Sequence, residues 1–251
     1  MIGLNRADGI KMDRHIDLLA TAIEYEKRYR RSSYFDSIYD TGYCPFNPLR
    51  LQEILNSLIN AKRIGNGDKF LDLGSGIGLN VVIAASLGLN AYGIEINPRL
   101  AKSSQELVEI LKEKGLFPEG VECKTIYGSY FPNDYIRLRE DKKSAAVEFE
   151  EDCGTLKDYF FPFGNPEDIY KIMNLDLRDV KVFYRYGWKG DVPSLWELFS
   201  LYGNKDAILI NPSGGFPVSK IPRMLERFVL ETCISDPERI YVLQKKSPKN
   251  Q

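Results

Sequence analysis

Histidine occurs once in the 251 residues, at His15. The four cysteines, Cys44, Cys123, Cys153 and Cys233, are scattered, and no two form a Cys-x-x-Cys pair. Neither a metal centre built from Cys and His nor a Ser–His or Cys–His nucleophile system is expected. Buried free thiols are the plainer reading of the cysteines. A surplus of charge is also lacking. The formal net charge of −1 creates no global field favouring nucleic acid or an anionic membrane. No apolar run approaches the roughly 20 residues of a membrane helix. The opening MIGLNRADGIKMDRHIDLL lacks the apolar core of a secretion signal. A cytoplasmic protein is expected, with no membrane partner. There is no internal repeat and no low-complexity tract. What is present is a 43% apolar composition, enough for a sizeable core in one large domain with appendages.

HIDLLATAIEYEKRYRR carries apolar positions at helical spacing. TGYCPFNP breaks the chain, and LRLQEILNSLINAKRIG reads as an amphipathic helix closed by Gly65 and Gly67. From Asp68 the pattern alternates. KFLDLG, NAYGIEI, VECKTIYGS, VKVFYRY and DAILIN read as strands. LNVVIAASLG, PRLAKSSQELVEILKEKG and PSLWELFSLYG read as helices. Such alternation argues for a parallel sheet with helices on both faces. RFVLETCI and RIYVLQK form a last pair of β-rich runs, fit for an antiparallel hairpin. The domain reading is an N-terminal helical extension over residues 1–66 and a main domain over 67–251. About fifty residues, roughly 130–179, interrupt the main domain between the third and fourth strands. They read as an exposed insertion or as a substrate lid or partner surface.

FLDLGSGIGLN, Phe70 to Asn80, holds the chemistry. No lysine follows its glycines, so it is not a triphosphate loop of the GxxxxGK[ST] type. A dinucleotide fingerprint, GxGxxG, needs glycine where Leu79 stands, because Gly78 arrives one position early. Asp72 lies in the first strand, where a carboxylate can face a ligand ammonium. Glu95 ends the second strand, where a carboxylate can accept two ribose hydroxyls. The ligand read from these residues carries adenosine and an amino-acid end, with little or no phosphate. A ligand-free tight turn is the bland alternative.

LDLGSGIG followed by YGIEINP resembles the first two motifs of class I S-adenosylmethionine-dependent methyltransferases. The resemblance runs from Asp68 to the terminal hairpin. It implies an α/β fold, a seven-stranded doubly wound sheet of order 3-2-1-4-5-7-6 with strand 7 antiparallel. It also implies the cofactor S-adenosyl-L-methionine, with S-adenosyl-L-homocysteine as product. It maps Asp72, Gly74, Ser75, Gly76 and Gly78 onto the methionine end, Glu95 onto the ribose and Ile96 onto the adenine. After the third strand the family commonly has aspartate following glycine. Here Ser129 follows Gly128, and Tyr130 is a second candidate for the adenine contact. FLDLGSGIG, YGIE and the segment before them are also similar to the non-SET histone lysine methyltransferases, a likeness that stops before the loop after the fourth strand.

Methyl transfer from a sulfonium needs positioning more than a catalytic dyad. The loop FYRYGWKGD lacks the [DN]PP[YF] signature of adenine and glutamine enzymes and the Pro-Cys of cytosine C5 enzymes. It offers Tyr184, Arg185, Tyr186, Trp188, Lys189 and Asp191 as an acceptor rim, and strand alternation aims Tyr184 and Tyr186 to one face. Core packing explains the tyrosines equally well. Asn211, in NPSGG, borders the same end of the sheet or sits in a plain turn. Tyr39, Thr41 and Tyr43 are candidates for covering the cofactor. YEKRYRR mixes cations and aromatics, yet a solvated helix face is the preferred reading, and nucleic acid is not expected as a partner. The acceptor is unidentified, with a protein amine or small molecule favoured. The competing classes are a non-catalytic cofactor-binding module that regulates or scaffolds, and a nicotinamide oxidoreductase.

Overall fold

The structure, a computed structural model, describes residues 6–31, 48–136, 168–186, 192–212, 228–233 and 240–245. The chain divides into two compact units, Met1–Tyr127 and Gly128–Gln251.

The first unit opens with helix α1 (Arg6–Arg31) and helix α2 (Pro48–Asn60). Leu18, Ala22 and Tyr29 are buried on one face of α1. That face packs on helix α3 (Leu79–Ser86) and helix α4 (Pro98–Glu113). In α2 the stripe Leu51, Ile54, Leu55 and Leu58 is buried, as its spacing demands. The helix stops at Asn60, earlier than expected from Gly65 and Gly67, and Lys62 takes a left-handed turn at φ 56°.

Strands β1 (Lys69–Leu73), β2 (Asn90–Glu95) and β3 (Cys123–Tyr127) follow. β1 pairs parallel with β2, and β2 with β3. β1 and β2 are buried almost throughout, which is why they read as continuous apolar runs. Pro98 and Asn97 fix the start of α4. Asn97 Oδ1 accepts the Arg99 N–H at 3.0 Å and the Leu100 N–H at 3.3 Å, while Pro98 needs no amide partner.

The second unit contains helix α5 (Ile169–Ile172), strand β4 (Val180–Tyr184), helix α6 (Val192–Tyr202) and strand β5 (Ile208–Pro212). β4 and β5 pair parallel. Strands β6 (Phe228–Cys233) and β7 (Ile240–Lys245) pair antiparallel with each other, and β7 pairs antiparallel with β5. The fold is α/β and Rossmann-like, with its parallel strands in the order β3-β2-β1-β4-β5. Of the insertion, its two ends are described. Ile169, Tyr170, Met173, Leu175 and Leu177 at its far end are buried. Among the described residues, no helix is long and apolar enough to cross a membrane.

Candidate functional site

The glycine loop between β1 and α3 is bound to β2 through its own backbone. The Gly74 and Ser75 N–H groups both donate to the Ile94 carbonyl, at 2.8 and 2.9 Å. The Gly76 N–H donates to Glu95 Oε2 at 2.8 Å, and the Gly78 N–H donates to the Ser75 carbonyl at 2.8 Å. A phosphate cradle works through backbone amides aimed at the anion. Here four of the loop amides are engaged inside the protein, one of them by a carboxylate. This geometry opposes a triphosphate or pyrophosphate at these glycines.

Glu95 is 7% exposed. Its other oxygen, Oε1, accepts the Asn97 N–H at 2.8 Å. The carboxylate thus holds both the loop and the entrance of α4. A carboxylate offers about four acceptor sites, so two backbone donors do not by themselves exhaust its capacity for hydroxyls. Ile96 beside it is 49% exposed, an apolar surface next to that carboxylate. Asp72 is 1% exposed and pairs in register with Gly93. These residues fit a ligand with vicinal hydroxyls, a flat apolar group and a cationic end.

Two glycines make the loop's approach possible. Gly78 has φ 81°, and a Cβ there would lie 2.2 Å from Ser104 Oγ in α4. The close-packing role that a dinucleotide fingerprint gives to its third glycine therefore falls to Gly78, with α4 as the neighbour. Gly93 in β2 has the same purpose on the other side. A Cβ there would lie 2.7 Å from Val81 Cγ2 and 2.8 Å from Ser75 Cβ. Sequence reasoning singled out neither Gly93 nor Ser104.

It also missed Tyr29. Tyr29 in the last turns of α1 forms a buried cluster with Ile77 of the loop and Leu100 of α4. Burial raises the pKa of its phenol; the nearby Arg99 charge lowers it and that of Glu95 raises it. Tyr25, one helical turn earlier, donates to Glu106 Oε2 at 3.1 Å. Arg28 and Arg30 bond Glu24 and Glu26 of their own helix. The solvated-face reading of YEKRYRR holds for Lys27, Arg28 and Arg30, which are exposed, whereas Tyr29 packs inward. The signal was available in the helical spacing of Tyr29 from Leu18 and Ala22.

The remaining predicted residues belong to the second unit. Ser129 is buried and its Oγ accepts the Phe131 N–H at 3.3 Å. Tyr130 has the Arg185 guanidinium over its ring at 5.1 Å, a cation–π contact, and its carbonyl accepts the Tyr170 hydroxyl. Tyr184 is the last residue of β4 and fully buried. The strand stops there, so the alternation expected to carry Tyr186 to the same face does not reach it. Arg185 N–H still donates to the Ile210 carbonyl at 3.1 Å, and Tyr186 lies beyond it, half-buried. Asn211 is 0% exposed, and both atoms of its amide lack a hydrogen-bond partner among the described residues. Trp188, Lys189, Asp191, Tyr39, Thr41, Tyr43 and most of the 130–179 insertion lie outside the described residues.

The family model for the histone methylation protein DOT1 matches residues 47–138, a stretch that contains the loop and Glu95. No curated protein matches the chain. Several solved structures are similar in fold. An RNA methyltransferase from Salinibacter ruber, in complex with S-adenosyl-L-homocysteine, is 14% identical with a TM-score of 0.46, over 83% of this chain and 98% of that one. A point mutant of MtNAS, in complex with S-adenosylmethionine, is 14% identical with a TM-score of 0.49, over 93% of this chain and 75% of that one. The ribosomal protein L11 methylase from Lactobacillus delbrueckii subsp. bulgaricus is 11% identical with a TM-score of 0.49, over 80% and 79%. The strand order, the glycine loop after β1 and the carboxylate at the tip of β2 are similar to those of the class I S-adenosylmethionine-dependent methyltransferase fold.

Proposed function

We propose that the protein is an S-adenosylmethionine-dependent methyltransferase. The observation that carries this reading is the Gly76 N–H on Glu95, which ties the loop to the carboxylate at the tip of β2, where ribose hydroxyls can be accepted beside the backbone donors. The DOT1 match over the same residues supports it. In this reading Asp72, Gly74, Ser75, Gly76 and Gly78 receive the methionine end, Glu95 the ribose and Ile96 the adenine. Ser129 and Tyr130 are assigned to the adenine edge. When bound, the cofactor supplies an activated methyl group, and the chain's residues orient it and exclude water. The reading includes a seven-stranded sheet, supported by the β5–β7 and β7–β6 pairings. It also includes a main domain over 67–251, an N-terminal extension and a cytoplasmic location.

Tyr184, Tyr186, Trp188 and Asn211 are the acceptor-side residues of this reading. Asn211 is the best supported, since a buried amide without partners among the described residues favours a ligand bearing both a donor and an acceptor. A protein amine or a small molecule is preferred over nucleic acid. The test is transfer of radiolabelled methyl groups from S-adenosylmethionine into a fractionated cell extract, with protein, RNA and small-molecule pools separated. Label in the protein or small-molecule pool is expected. Cofactor binding without label in any pool would favour the non-catalytic module instead.

A further inference from the structure

We infer that Tyr29 is a positioning residue of the cofactor site, and that α1 is a clamp on the glycine loop rather than a separate appendage. The inference rests on the proposed cofactor. Its basis is where Tyr29 packs. Glu95 receives two backbone donors, Gly76 N–H on Oε2 and Asn97 N–H on Oε1, both at 2.8 Å. Tyr29 clusters with one residue from each donor's segment. Ile77 directly follows Gly76, and Leu100 lies in the first turn of the helix that Asn97 caps. The Leu100 N–H itself donates to Asn97 Oδ1. A single aromatic ring therefore abuts both backbone segments that hold the Glu95 carboxylate. Ile77 stands between Gly76 and Gly78, whose φ values are 56° and 81°. A residue flanked by two glycines has little local restraint, so an external contact must fix it.

The ring is itself held. Leu18 and Ala22 bury the same face of α1 further back. Tyr25 is bonded to Glu106 of α4, and His15 Nε2 lies 2.8 Å from Gln52 Nε2 of α2. The helix thus grips α2 and α4 along its length and presents Tyr29 at its far end. The supporting action inferred for Tyr29 is packing of its ring in the cluster with Ile77 and Leu100.

The experiment compares wild type, Tyr29→Phe, Tyr29→Ala and Leu18→Ala. Leu18 is a fully buried residue of the same helix, three turns before Tyr29 by the roughly 3.6-residue helical repeat. Two quantities are read: affinity for S-adenosylhomocysteine by calorimetry, and hydrogen exchange of the Gly76 amide in the ligand-free protein. Tyr29→Ala is expected to weaken binding by about tenfold or more and to accelerate Gly76 exchange by a similar factor. Tyr29→Phe should stay within about twofold of wild type in both. Leu18→Ala should lower the melting temperature at least as much as Tyr29→Ala, yet leave affinity and Gly76 exchange within about twofold. Equal losses in the two alanine variants, or unchanged Gly76 exchange in Tyr29→Ala, would overturn the inference. Absence of binding by wild type overturns the cofactor reading. The exchange comparison then still decides whether Tyr29 fixes the loop.

Discussion

Gly76 N–H and Glu95 Oε2 lie 2.8 Å apart, nineteen residues separated in sequence. The bond couples the two motifs that sequence reading treated as separate ligand contacts. It makes Glu95 structural, since the same carboxylate holds the loop and accepts the Asn97 N–H; the ribose contact is the further role proposed for it.

Substitution of Glu95 by alanine removes the acceptor of two backbone donors. Each buried donor left unsatisfied costs about 1–3 kcal/mol. We expect a loss of stability of that order or more in urea unfolding. S-adenosylhomocysteine affinity should weaken by about 1–3 kcal/mol, from the lost ribose bonds. Stability lost with affinity unchanged contradicts the ribose assignment.

The loop and the strands were legible because their signals are local. β1 and β2 are apolar runs, and the glycine cluster and Glu95 occupy fixed offsets from them. What stayed hidden depends on neighbours distant in sequence. Ser104 against Gly78, Gly93 against Ser75, and Tyr29 against Ile77 emerge once helices and loop are placed. The alternation expected to carry Tyr186 does not extend to it, because the pattern says nothing about where a strand stops, and β4 ends at Tyr184. Gly65 and Gly67 looked like helix terminators, while Lys62 had already turned the chain.

Gly78→Ala forces a Cβ to 2.2 Å from Ser104 Oγ at a φ of 81°. Both effects destabilise, and we expect a loss above about 1 kcal/mol. Ser104→Ala behaves oppositely. Its hydroxyl is buried without a hydrogen-bond partner among the described residues, so its removal should be neutral or stabilising. Combining the two should recover part, but not all, of the Gly78→Ala loss. Thermal melts of the three variants test this. A double variant no better than Gly78→Ala would count against the contact.

Cys123 is buried in β3, and burial pushes its thiol up to about 12. Little thiolate exists at about pH 8, far below that value. Iodoacetamide labelling followed by peptide mapping should leave Cys123 unmodified in the folded protein and alkylated in urea. Equal labelling in both conditions contradicts the burial of Cys123.

His15 has its pKa lowered from 6.5, chiefly by burial, with a hydrogen bond to the backbone of Ser86 opposing. Its folded value lies below its unfolded value. Between the two, the unfolded chain binds more protons, so stability rises with pH through that window. The contribution is present above 6.5 and is lost as pH falls through the window toward the folded value. His15→Gln should flatten this part of the stability–pH curve. An unaltered slope refutes the assignment, and His15 is the chain's sole histidine.

Titration of the wild-type protein with S-adenosylhomocysteine, beside NAD and ATP, tests the central claim most directly. The loop amides held by Ile94, Glu95 and Ser75 predict saturable heat with S-adenosylhomocysteine and none with the two phosphate-bearing ligands. Binding of NAD or ATP by folded protein that gives no heat with S-adenosylhomocysteine would contradict it.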